Sequence, residues 1–259
     1  MNVMTADGGV GRRPGWLLDE VANAGRENLD RDHVARYDVK EDARASDEVR
    51  LCRRLGLTRD SVVVEFGPGT GQFTLAVAPV CARVIAVDVS PAMLAALRSN
   101  LAHARLSNVL VVQAGFLTYE HDGPPADLVY SRYALHHLPD FWKAIALSRL
   151  ASMLRPGGVL RLWDVVYSFD PADAGERLEA WCASADVDAV AGTGDADRWN
   201  RADLEEHVRD EHSTFTWLLE PMMLRAGFTI EDATYTDDGI FAQYVLRRRA
   251  PISRDRSGR

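Results

Sequence analysis

The sequence predicts an α/β fold: a doubly wound, seven-stranded sheet, parallel with an antiparallel last strand, with helices on both faces. Three observations predict it. Short runs rich in valine and isoleucine alternate with helical stretches at regular spacing. The first run, VVVEFGPGTG at positions 62–71, passes from a buried strand into three glycines within five positions. Near the C-terminus, two strand-like runs are joined by Thr236-Asp237-Asp238-Gly239, which reads as a hairpin, not a crossover.

Each element has its own signal. Positions 1–45 are polar and patchily amphipathic, with Gly8, Gly9, Gly11, Pro14 and Gly15 near the start, and predict a loose leader followed by short lid helices. A helix over 46–55 ends at Gly56. Strand one spans 61–66, a continuous apolar run of the kind buried on both faces. A helix at 72–80 and strand two at 83–88 follow. Ser90-Pro91 then supplies an N-cap and a first-turn proline for a helix to about 103. Strands three and four are expected at 109–113 and 126–131, a helix at 139–154 stopped by Arg155-Pro156-Gly157-Gly158, and strand five at 159–165. These complete a core of residues 46–167. Residues 168–212, rich in Asp and Ala without strand character, predict a helical cap inserted after strand five. A helix at 213–226 and the hairpin 228–235 and 240–246 complete the core within 213–247; a mobile basic tail, 248–259, remains.

Composition narrows the function. At 259 residues the chain can hold one large domain or a domain with a lid. A net charge of −8 and a pI near 5.4 argue against general nucleic-acid affinity. Cys52, Cys81 and Cys182 have neither paired nor metal-type spacing, and no Cys/His/Asp grouping in the sequence implies a metal. No secretory start and no apolar run of about 20 residues is present, so a cytoplasmic protein without a membrane partner is expected.

In a doubly wound sheet, ligands sit beyond the carboxyl ends of the strands, where strand order reverses. Gly67, Gly69 and Gly71 occupy such an end and let a ligand approach the main chain. Asp88 closes strand two at the distance where a carboxylate takes both hydroxyls of a ribose. A dinucleotide fingerprint would need a third glycine at 72, which is Gln72, and a Walker loop would need a nearby lysine. Glu65 would repel a pyrophosphate but suits a cationic donor such as S-adenosylmethionine, which has an ammonium, a sulfonium and no phosphate.

With VVVEFGPGTG, VIAVDVSPAML, ADLVYSRYALHHLPD and MLRPGGVLRLWDV in order, the chain resembles class I S-adenosylmethionine-dependent methyltransferases over about residues 50–166. It is most similar to their small-molecule, quinone-biosynthesis-type branch, and the terminal hairpin matches their last two strands. The resemblance implies a Rossmann-like core, S-adenosyl-L-methionine as cofactor and S-adenosyl-L-homocysteine as product. It implies that Glu65, Gly67, Pro68, Gly69 and Gly71 line the methionine end, and that Asp88 holds the ribose. Val89 and Met93 would pack near the adenine, edged by Ala114, Gly115 and Phe116, while Ser131, Arg132 and Tyr133 would stand between cofactor and substrate. The family usually carries an acid at 115 for the adenine amino group; here a backbone carbonyl or Gln113 could replace it.

His136, His137 and Tyr37 are the candidate bases, though the histidines read more readily as pocket-lining and Tyr37 equally as packing. Asp164, ending strand five, points by expectation toward the mouth of the site, and Trp163, Trp181 and Trp199 are placed to touch a substrate. The favoured reading is methyl transfer to a small-molecule acceptor. Its rivals are a nucleic-acid or protein methyltransferase and a cofactor-binding or nicotinamide protein. Ser131-Arg132-Tyr133 in place of an amide-aromatic loop weighs against base methylation.

Overall fold

The computed structural model describes residues 14–25, 44–190 and 199–250. Tyr37 and the tail beyond 250 lie outside the described residues. Helix α1, Ala45–Arg54, turns Val49 and Cys52 inward. It precedes strands β1 (Val62–Phe66), β2 (Arg83–Asp88), β3 (Val109–Gln113), β4 (Ala126–Arg132) and β5 (Leu154–Tyr167), which pair in parallel in the order β3-β2-β1-β4-β5. Helices α2 (Gln72–Val77), α3 (Pro91–Ala104) and α4 (Asp140–Met153) supply crossovers between them. Because side chains alternate along a strand, β1 feeds two cores: Val64 and Phe66 join one and Val63 the other. That two-sided burial is why its sequence is an unbroken apolar run.

Two helices follow β5: α5 (Ala174–Val190) and α6 (Arg201–Asp210), the latter opened by a reciprocal capping box between Asn200 and Asp203. A two-residue strand β6 (Thr214–Phe215) and helix α7 (Thr216–Arg225) lead to β7 (Phe228–Tyr235) and β8 (Phe241–Arg248). β8 runs antiparallel to both β5 and β7, giving the sheet order β3-β2-β1-β4-β5-β8-β7, with β6 attached to the end of β5.

The departures from expectation have local causes. β5 begins at Leu154, with no intervening turn after α4, because the buried Leu154 already pairs with Ala126. The register then jumps to Leu128 opposite Val159, so Arg155-Pro156-Gly157-Gly158 bulges out of the strand and does not precede it. At 213–226 a helix was expected from the start, but Thr214 and Phe215 first pair with Val166 and Tyr167. The basic stretch at the C-terminal end starts out ordered: Arg247 pairs with Glu231, and Arg248 donates to the carbonyls of Ala151 and Leu154.

Candidate functional site

Strand order reverses between β1 and β4, and a crevice opens at their carboxyl ends. Phe66, Gly67 and Gly69 form one wall. Gly67 has φ +70°, and a Cβ there would lie 2.6 Å from the Cβ of Ala134, which also faces the crevice. Only glycine lets the β1 turn and the β4 turn close on each other this tightly. Gly71 donates its N–H to the carbonyl of Pro68 at 2.9 Å and packs against Leu97; neither Gly71 nor Pro68 is among the lining residues.

Three carboxylates define the electrostatics. Glu65 is 2% exposed beneath the turn and accepts from the Thr74 hydroxyl. Burial lifts its pKa to about 8, against the pull of that hydrogen bond. Asp88 lines the crevice, and burial lifts its pKa to about 6 although the N–H groups of Ser90, Gly69 and Val89 favour its ionised form. The helix cap beside it is Ser90, whose Oγ accepts from Met93 N at 3.1 Å, so Asp88 is left for other work. Val89, Met93, Ala114, Gly115 and Phe116 complete this end.

The third carboxylate, Glu20, is absent from the sequence expectations. It reaches the crevice from the segment 14–25, its Oε1 accepting from Leu117 N and its Oε2 from Thr118 Oγ1, each at 3.1 Å. A Cβ on Gly115 would fall 2.3–2.6 Å from the Glu20 carboxylate atoms. The missing side chain at 115 is therefore space that Glu20 fills. Gln113 is exposed at the end of β3 and does not line the crevice. The one signal for Glu20 in the sequence was a glycine standing where an acid was expected.

At the end of β4 the expected trio divides. Ser131 is fully buried, and the Arg132 guanidinium lies over the rings of Tyr133 and Trp163 at 4.6 and 4.3 Å. Neither lines the crevice, whereas Tyr133 and Ala134 do. Tyr133 has φ +50°, a left-handed backbone uncommon for an aromatic residue, held by its N–H to the carbonyl of Trp163 at 2.9 Å.

The two histidines also part company. His136 is buried, with Nδ1 2.5 Å from Asp164 Oδ1 and Nε2 3.0 Å from Glu211 Oε2. Burial disfavours its charge, but Asp164 and Glu211 outweigh burial and raise its pKa to about 10. His137 does line the crevice; burial and the charge on His136 lower its pKa to about 3. Asp164 does not point to the mouth of the site: its other oxygen accepts from Leu135 N and His136 N, which fixes the turn. His207, at the end of α6, completes the cluster with Nδ1 2.5 Å from Glu211 Oε2. Ligand atoms of His136, His137 and Glu211 lie within 4.8 Å of one another. Sequence spacing implied no metal; the fold brings these side chains together by setting α6 against the β4 turn.

Among the described residues no lysine or arginine lines the crevice, and three carboxylates face or underlie it. Such a site fits a cationic nucleoside without phosphates. Comparison with known proteins agrees. Residues 63–158 match the family described as a methyltransferase domain. The uncharacterized methyltransferase YrrT of Bacillus subtilis (strain 168) is 34% identical over 72% of this chain and 78% of its own length. A trans-aconitate 2-methyltransferase of Methylobacterium radiotolerans is 34% identical over 61% of this chain and 60% of that one. In fold, the N-methyltransferase NodS from Bradyrhizobium japonicum WM9, solved with S-adenosyl-L-homocysteine, matches with a TM-score of 0.58 at 17% identity, over 89% of this chain and 99% of NodS. The chain belongs to the class I S-adenosylmethionine-dependent methyltransferases.

Proposed function

We propose that this enzyme methylates a small-molecule acceptor held against the β4 turn. The observation that carries the reading is the crevice itself, walled beyond the glycine turn by Tyr133, Ala134, His137 and Leu138 and, among the described residues, free of lysine and arginine. A nucleic acid would meet a net charge of −8. A relative whose name gives trans-aconitate as its acceptor supports the small-molecule assignment.

S-adenosylmethionine, when bound, supplies an electrophilic methyl on a sulfonium that leaves as a neutral thioether. The chain's task is to bind and align. Asp88 takes the ribose hydroxyls, and Glu65 beneath the bare turn answers the ammonium of the methionine end. Val89, Met93 and Phe116 pack on the adenine, whose amino group we assign to Glu20. Holding donor and acceptor in line is worth as much as about 7–11 kcal/mol where geometry is ideal. His136, shut between two carboxylates, positions the turn, while His137 is the histidine that meets the acceptor side.

Incubating the enzyme with methyl-labelled cofactor and a cell extract tests this. Label in the low-mass fraction is expected; label confined to protein or RNA refutes the acceptor class. Calorimetry with S-adenosylhomocysteine and with NADH checks the cofactor pocket independently.

A further inference from the structure

The cluster beside the crevice holds more ligating groups than a turn needs. Three imidazoles, from His136, His137 and His207, converge on the single carboxylate of Glu211. Their approaches are 3.0 Å (His136 Nε2), 3.9 Å (His137 Nδ1) and 2.5 Å (His207 Nδ1). Ligand atoms of His136, His137 and Glu211 all lie within 4.8 Å of one another, near enough to share one ion, while His207 holds Glu211 from behind. All four side chains are nearly enclosed, at 7% to 15% exposed.

The groups behind them are arranged as a metal site requires. A ligating histidine offers one nitrogen's lone pair and donates its other N–H to a fixed acceptor. His136 directs Nδ1 at Asp164 Oδ1, which leaves Nε2 facing Glu211. His207 directs Nε2 at Ser213 Oγ, 2.9 Å away, which leaves Nδ1 facing the same oxygen. Asp164 is itself tied down by Leu135 N, His136 N and Val165 N. The ligands come from two parts of the fold, the turn after β4 and the end of α6, joined also by His212 N donating to the carbonyl of His136 at 3.0 Å.

We propose that His136, His137 and Glu211, the last backed by His207, bind one divalent transition-metal ion, zinc by its ligand set, which clamps α6 to the β4 turn. Two imidazoles and a carboxylate suit zinc, and three protein ligands leave its fourth position to water. Its place behind His137 makes the metal a support for the acceptor wall.

The test uses the full chain without a histidine tag. After purification without chelator, elemental analysis is expected to find zinc near one equivalent. Cobalt(II) reloaded after chelation should give the intense visible bands of a four-coordinate ion. Chelation should lower the melting temperature, and added zinc should restore it. Glu211→Gln should weaken zinc binding by at least ~100-fold, and His207→Gln and Ser213→Ala, which loosen Glu211 from behind, by about 10-fold each. No retained zinc together with no cobalt spectrum overturns the proposal and leaves a hydrogen-bonded ion network. Unchanged affinity in folded Glu211→Gln and His207→Gln variants overturns it too. Should those variants not fold, stoichiometry, cobalt spectrum and the Ser213→Ala shift decide it.

Discussion

The Glu20 carboxylate fills the space a side chain at Gly115 would take, and if it serves the adenine as proposed, the two positions should be exchangeable. Truncating Glu20→Ala removes a carboxylate from the crevice and should weaken S-adenosylhomocysteine binding by about 1.5–3 kcal/mol, as for a charge-assisted hydrogen bond. Placing an acid back, in Glu20→Ala/Gly115→Asp, should recover most of that loss, whereas Gly115→Asp alone drives two carboxylates into one space. The 6-oxo analogue of the cofactor, which has no amino donor, should bind the wild type poorly and Glu20→Ala no worse than the natural ligand does. Equal discrimination by both proteins would falsify the adenine role. Asp88→Ala should cost about 1–3 kcal/mol in the same calorimeter, up to a hundredfold or so in Kd, and an unchanged Kd would remove Asp88 from the ribose. At this scale the sequence was legible where chemistry is local: glycine turn and strand-ending acid lie within one crossover. Glu20, His207 and Glu211 reach the site through tertiary folding, and no neighbour in sequence marks them.

Among the elements, the parallel strands were readable from their unbroken apolar runs, written in the inner strands by burial on both faces, and β2 and β3 fall at their expected limits although β3 is a half-exposed edge. What was not readable is how strands begin and what interrupts them, since Leu154 and Thr214 join the sheet through partners far along the chain. Arg161 breaks the apolar run of β5, and its reason is a partner from another element. Its guanidinium forks onto both oxygens of Glu48 in α1 at 2.8 Å, with the two side chains 3% and 7% exposed. Removing one partner of a buried pair strands the other charge, so Glu48→Ala should lower stability by about 3–5 kcal/mol. Replacing both, in Glu48→Leu/Arg161→Met, should recover most of that, because an apolar pair has no charge to desolvate. Urea midpoints at constant m-value measure both. A double variant as unstable as the single one would mean that α1 is held through Arg161's other contacts, to Gln243 and the carbonyl of Tyr244.

For the whole molecule, the crevice couples folding, protons and cofactor. Without cofactor, Glu65 and Asp88 have pKa values raised by burial to about 8 and about 6, above the ordinary 4.5 and 3.8. Raised folded values mean that the folded state holds these protons more tightly than the unfolded chain does. Their contribution to stability is complete at low pH and is lost as pH rises, between 3.8 and about 6 for Asp88 and between 4.5 and about 8 for Glu65. In the proposed binding mode the cofactor reverses the preference. An ammonium beside Glu65 and hydroxyls donating to Asp88 both favour the carboxylate, so binding lowers both pKa values and expels protons. Affinity for S-adenosylmethionine should therefore climb from about pH 5 to pH 7. Calorimetry at about pH 6.5 in buffers of different ionisation enthalpy should register close to one proton released, chiefly from Glu65. Glu65→Gln should abolish most of that release and flatten the rise in affinity above about pH 6. Proton uptake, or a release untouched by Glu65→Gln, would place the ammonium elsewhere and leave Glu65 as no more than the buried partner of Thr74.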